Sequence, residues 1–143
     1  MVRFMIDAKI EEMFIKQFVK KRFRQRLLFE LHGKKRRDGM SRFCHNAVNL
    51  FLENTIVVDG RICKEDIKRH LSKKLTGKQC YIMAYNESLD GILCQFEAAL
   101  DLVLGNGMAA IIIFDGFAVI ETEQCSGCPD RFVLCTSNPY KTL

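Results

Sequence analysis

An α+β fold, with a helical N-terminal half packed on a small antiparallel or mixed sheet, is what three features of the chain predict. Residues 4–31 contain neither Gly nor Pro and carry apolar side chains at helical spacing. Residues 108–114, purely apolar, and residues 117–123 read as two strands joined by Asp115-Gly116. The 143 residues suffice for one core rather than two. One domain over residues 1–143 is therefore expected, basic and helical to about residue 76 and sheet-forming over about 78–137.

Taken in order, residues 4–31 predict a helix bent or broken near residues 19–21, with Val19, Phe23, Leu27 and Leu31 forming one apolar ridge. Phe18, Leu28 and Phe29 fall off that ridge, which predicts apolar neighbours on a second side, from the chain's own core or a second subunit. Residues 32–39 read as an exposed loop, bounded by glycines and carrying four consecutive cations. Met40, Phe43, Cys44, Ala47, Val48 and Phe51 then keep the three-and-four spacing of a helix over residues 40–53.

Residues 55–58 predict a short strand ending in an Asp59-Gly60 turn, and Ile67, Leu71 and Leu75 a helix over residues 64–75. Residues 79–85 read as strand. Residues 89–104 read as helix, with Ile92, Leu93, Phe96, Leu100 and Val103 inward. The hairpin about Asp115-Gly116 and a strand over residues 131–136 complete a β-α-β-β-β C-terminal half. Residues 109–114 are apolar without alternation, which predicts an interior strand covered on both faces.

Composition narrows the function classes. With 48% apolar and 27% charged residues, two prolines and no fixed-period repeat, the chain reads as globular. The apolar run at residues 108–114 is far short of the roughly 18 to 20 residues of a spanning helix, so no membrane role is expected. Asp7, Lys9, Glu11 and Glu12 interrupt any secretory core, which leaves a cytoplasmic location. An odd set of seven cysteines, four of them single within apolar runs, predicts reduced thiols packed as small hydrophobes.

Charge is distributed unevenly. Residues 1–86 hold 20 Lys/Arg against 9 Asp/Glu, and residues 87–143 hold 2 against 8, so the two parts carry 20 − 9 = +11 and 2 − 8 = −6. Cations concentrate between residues 16 and 42, which suits contacts to phosphate oxygens. The candidate polyanion-binding residues are Arg22, Arg24 and Arg26 on the helix, Lys34, Lys35, Arg36 and Arg37 as a grasping loop, and Arg42. The phenylalanines of this region are spaced as core residues rather than stacking platforms. The competing reading is a solvated helix whose long cations lie beside an apolar ridge and pair with the acidic C-terminal part.

Cys125-Ser126-Gly127-Cys128-Pro129 has the C-x-x-C spacing of thiol-disulfide oxidoreductases. Those enzymes set the pair at a helix N-terminus, where the dipole lowers the thiol pKa, whereas residues 130–134 read as strand. As half of a zinc site, Cys125 and Cys128 would need two further ligands from Cys135, Cys44 and His45, and no second ligand pair is visible. A Gly-Pro turn between strands explains the motif most simply, so no metal and no cofactor are assigned.

Glu121 and Glu123 share a strand face, with Asp115 further along, and are read as the exposed end of a strand rather than a catalytic pair. Cys44 and His45 are adjacent on a helix and diverge by about 100°, too far to act as nucleophile and base. His32 and His70 have no partner visible in the sequence, and no phosphate-cradling or nucleophile-elbow motif is present. No residue is assigned a catalytic role. The reading is a non-catalytic binding protein for an anionic partner, nucleic acid first and an acidic protein next. A self-associating or inhibitory module, forming a homo-oligomer, is the alternative. An enzyme of unidentified type would require a pocket lined by convergent polar groups.

Overall fold

The computed structural model describes residues 3–44, 47–60, 62–75, 77–105, 107–114, 116–123 and 129–136. A two-residue strand, β1 (Arg3–Phe4), precedes helix α1 (Ala8–Phe18), whose N-terminus is capped by Asp7 accepting from the amides of Lys9 and Ile10. The helical reading of residues 4–31 thus begins too early, and its bend is a break. Val19 is extended and bridges Phe51, the Leu52 amide donates to the Phe18 carbonyl at 2.7 Å, and the Lys20 amide to the Leu50 carbonyl at 2.8 Å. Helix α2 (Lys21–Leu31) starts beyond this bridge.

The same contact undoes the helix expected over residues 40–53. Helix α3 (Arg36–Ser41) is short and is followed by 3-10 turns at Ala47–Leu50 and Glu53–Thr55. The apolar spacing identifies most of the buried side chains: Met40, Phe43, Cys44, Ala47 and Phe51 are buried, and Val48 is half-buried. Pairing of residues 50–52 with residues 18–20 draws their backbone away from helical bonding. Gly39 is buried where α3 crosses α2, and a Cβ there would stand 3.1 Å from the Glu30 Cβ and a Leu31 methyl.

Strand β2 (Ile56–Gly60) includes Asp59 and Gly60, which pair with Phe132 and Arg131 instead of making a turn. Helix α4 (Lys64–Leu75) and strand β3 (Gln79–Ala84) follow as the sequence predicts. The helix expected over residues 89–104 divides into strand β4 (Ile92–Gln95) and helix α5 (Phe96–Val103). Gly91, at φ +84°, turns the chain so that β4 pairs back on β3, with Cys80 opposite Cys94. Strands β5 (Ala110–Phe114), β6 (Phe117–Glu121) and β7 (Arg131–Cys135) complete the meander. Gly116 on the β5–β6 hairpin has φ +77°, and Asp115 lies outside the described residues.

All seven strands form one antiparallel sheet in the order β1-β4-β3-β5-β6-β7-β2, so the fold is α+β with a wholly antiparallel sheet. Alternate residues supply two separate cores. Tyr81, Met83, Ile111, Ile113, Ile120 and Phe132 meet the helices of residues 8–41 and the segment after them. Cys80, Ile82, Ile112, Val119 and Val133 meet α4 and α5. Helices on both faces account for the unbroken apolar run in β5. A second subunit is not needed to cover that strand. On the first face the rings of Phe14, Phe18, Phe43, Phe51 and Phe132 form a chain with centroid separations of 5.6 to 6.4 Å.

Candidate nucleic-acid interface

The break at Val19 and the burial of Leu27 and Leu31 fix the roll of α2, and so decide which of its cations meet solvent. At 100° per residue, Lys21, Arg22, Gln25, Arg26 and Phe29 fall on the outer face, and all five are exposed. Arg22 lies over the Phe23 ring at 4.7 Å. Among the described residues neither Lys21 nor Arg22 has an anionic partner. Lys34, in the turn before α3, is among the described residues likewise exposed and without one, whereas the exposed Lys35 beside it acts by its charge on the Glu30 carboxylate.

Of the other predicted cations, Arg24, Arg36, Arg37 and Arg42 are occupied. Arg24 turns inward, and its Nε donates to the Val19 carbonyl at 2.9 Å, satisfying backbone at the α1–α2 break. Arg42 donates through Nη2 to Glu30 at 2.9 Å, and Arg26 approaches the same carboxylate at 3.7 Å. The hydrogen bond from Arg42 holds the Glu30 carboxyl below its ordinary value, outweighing the upward push of burial. Arg37 pairs with Glu87 at 3.0 Å and lies over the Tyr85 ring at 4.3 Å.

Arg36 departs furthest from the sequence reading, because it belongs to no grasping loop. It opens α3 and is only 17% exposed, with Nη1 and Nη2 donating to Glu11 at 2.8 and 2.7 Å. Its Nε and Nη2 donate to Asp90 at 2.6 and 2.8 Å. Nη1 also donates to the Leu31 carbonyl at 3.0 Å. Burial alone would lower the guanidinium's pKa, but its bonds to Asp90 and Glu11 prevail and raise it. Tyr81 donates its hydroxyl to the fully buried Glu11, and both burial and this bond raise its pKa. His32, 3.5 Å from Glu11, adds a second cation when protonated. The cluster ties α1, α3, β3 and the β3–β4 turn together.

A second buried pair corrects the reading of Glu121 as an exposed strand end. Glu121 is fully buried, receives Arg131 Nε at 2.8 Å, and accepts the Gly105 amide at 3.0 and 3.1 Å. Glu123 is half-buried, its amide donating to the Cys44 carbonyl at 3.2 Å, so the two carboxylates form no pair of like environment.

Cys125, Cys128 and His45 lie outside the described residues. Cys135 and Cys44 are buried in the sheet and the first core, and burial pushes the Cys80 thiol pKa well up. Among the described residues no three His, Cys, Asp or Glu side chains converge as metal ligands, and no helix is long and apolar enough to cross a membrane.

Beside α2, a groove of about 310 Å³ lies between this helix and Ser41, Arg42, Asn49 and Leu50. Phe23, Leu27 and Leu50 form its apolar lining, and Arg26, Arg42 and Asn49 supply polar groups. Phe29, on the opposite side of Arg26, is 69% exposed. The sequence reading sets Phe29 off the apolar ridge, facing either the chain's own core or a second subunit, and treats it as spaced like a core residue rather than a stacking platform; it is exposed instead. It stands three residues after Arg26 and seven after Arg22, on their face and off the Leu27–Leu31 ridge.

No protein-family model, no curated protein and no solved structure matches this chain.

Proposed function

We propose that this protein is a non-catalytic binding module that engages nucleic acid through the outer face of α2. The observation that carries this reading is the exposed row of Lys21, Arg22 and Arg26, continued by Lys34 and Lys35 in the next turn and without a full complement of internal anions. A phosphate backbone meets such a row favourably because each contact releases condensed counterions. Arg22 and Arg26 can each present a forked donor to a phosphate, which lysine cannot.

The test is fluorescence anisotropy of labelled DNA and RNA pools across a salt series, with the native chain and the Arg22→Gln/Arg26→Gln variant. Binding should weaken steeply with salt, and the variant should bind less tightly with a salt slope lower by about two. Absence of binding at low salt would sink the reading. A second reading then takes its place, favoured by the exposure of Met5, Ile6 and Met13 around shallow apolar grooves that share Tyr81 and Leu93. That surface would suit a protein partner or a second copy of the chain, and light scattering in the same buffer distinguishes the second copy.

A further inference from the structure

We infer that the nucleic acid accepted by α2 is single-stranded, with one base stacked on Phe29 and a neighbouring base entering the groove on the far side of Arg26. This rests on the reading of α2 as a phosphate-tracking face. One exposed phenylalanine needs no explanation by itself. Its register does, because Phe29, Arg26 and Arg22 fall on one helical face, and the arginines are one turn, about 6 Å, apart along the axis. An aromatic face beside cations is the arrangement that takes unpaired bases, whose flat surfaces a duplex hides within its stack.

The setting of α2 also disfavours a duplex. A helix that reads a duplex must project into its major groove. Helix α2 packs against α1 on one side and α3 on another, and Ser41, Arg42, Asn49 and Leu50 wall the groove beside it. It therefore presents a shallow face and does not protrude. Within the groove, Phe23, Leu27 and Leu50 offer apolar surface to a base, and the exposed Asn49 amide both donates and accepts at a base edge. Arg26 stands between the two base positions, where the linking phosphate would lie. The internal bond of Arg26 to Glu30 is long, at 3.7 Å, and Arg42 already satisfies that carboxylate, so Arg26 can turn outward without stranding a buried charge.

The experiment compares a labelled uridine-rich strand, a hairpin duplex of the same length and heparin, using the native chain and Phe29→Ser and Asn49→Ala variants. The single strand should bind at least tenfold more tightly than the duplex. Phe29→Ser should weaken single-strand binding by roughly tenfold with an unchanged salt slope, and Asn49→Ala by a smaller factor. The chain contains no tryptophan, so Phe29→Trp introduces one reporter whose fluorescence should be quenched by the single strand and not by heparin. Equal affinity for strand and duplex, or a Phe29→Ser variant that binds the strand as the native chain does, overturns the inference while leaving the phosphate-tracking reading intact. Failure of strand, duplex and heparin alike to bind at low salt overturns both.

Discussion

Arg22 on α2 and Arg36 on α3 belong to one basic stretch of chain, yet the fold uses them in opposite ways. Arg36 is enclosed by two carboxylates and a backbone carbonyl, whereas Arg22 lies over a phenylalanine ring and forms no ion pair among the described residues. The difference comes from what each helix faces. The last turn of α2 and the start of α3 approach the sheet end where Glu11 and Asp90 are held, and the outer face of α2 looks away from it. Cation density in a sequence is therefore not a measure of available charge, because partners distant along the chain decide how much remains for a ligand.

The largest test of this contrast is Arg36→Gln. It leaves the fully buried Glu11 and the largely buried Asp90 without their shared cation, and removing one partner from such a cluster costs about 3 to 5 kcal/mol. Urea unfolding should show that loss as a lower midpoint, whatever becomes of nucleic-acid binding. A variant with native stability would mean that water or rearrangement replaces the guanidinium, and the division between the two arginines would fail.

The parts of the fold that were legible in the sequence are those fixed by local pattern. Helix α4 and the β5–β6 hairpin follow from spacing and turn chemistry, and the burial of Phe43 and Phe51 follows from periodicity. Periodicity could not separate β4 from α5, because Ile92, Phe96, Leu100 and Val103 are buried both in the expected helix and in the strand-then-helix that forms. What decides the matter is Gly91 and the edge of β3 waiting for a partner. The site divides in the same way. Arg22 and Arg26 were legible as surface cations, while the capture of Arg36 depends on Glu11 and Asp90, which no local rule connects to it.

An intermediate effect is expected at Arg42, which is partly exposed but clasps a buried carboxylate. Glu30 titrates below its ordinary value in the folded chain, so on acidification the unfolded chain takes up this proton first. The stabilisation is complete above the ordinary glutamate range and is lost as pH falls through the lowered folded value. Arg42→Gln should reduce stability at neutral pH by about 1 kcal/mol, a figure kept small because solvent screens the guanidinium. It should also flatten the acid limb of the stability curve. Unfolding midpoints measured from neutral pH down through the carboxylate range check both, and an unchanged acid limb would show that Glu30 is not held by Arg42.

The smallest expected change in stability is the sharpest test of the contrast. Arg22→Gln and Phe29→Ser alter side chains that are exposed on α2, cap no helix and satisfy no buried group, so each should unfold within about 0.5 kcal/mol of the native chain. Phe29→Ser removes apolar surface from water in both the folded and the unfolded state, so folding gains or loses little by it. If either substitution destabilises the chain by more than about 1 kcal/mol, its side chain serves the fold and the comparison with Arg36 collapses. If both are neutral to folding while they weaken binding to a single strand, the outer face of α2 contributes to a ligand what the Arg36 cluster contributes to the fold.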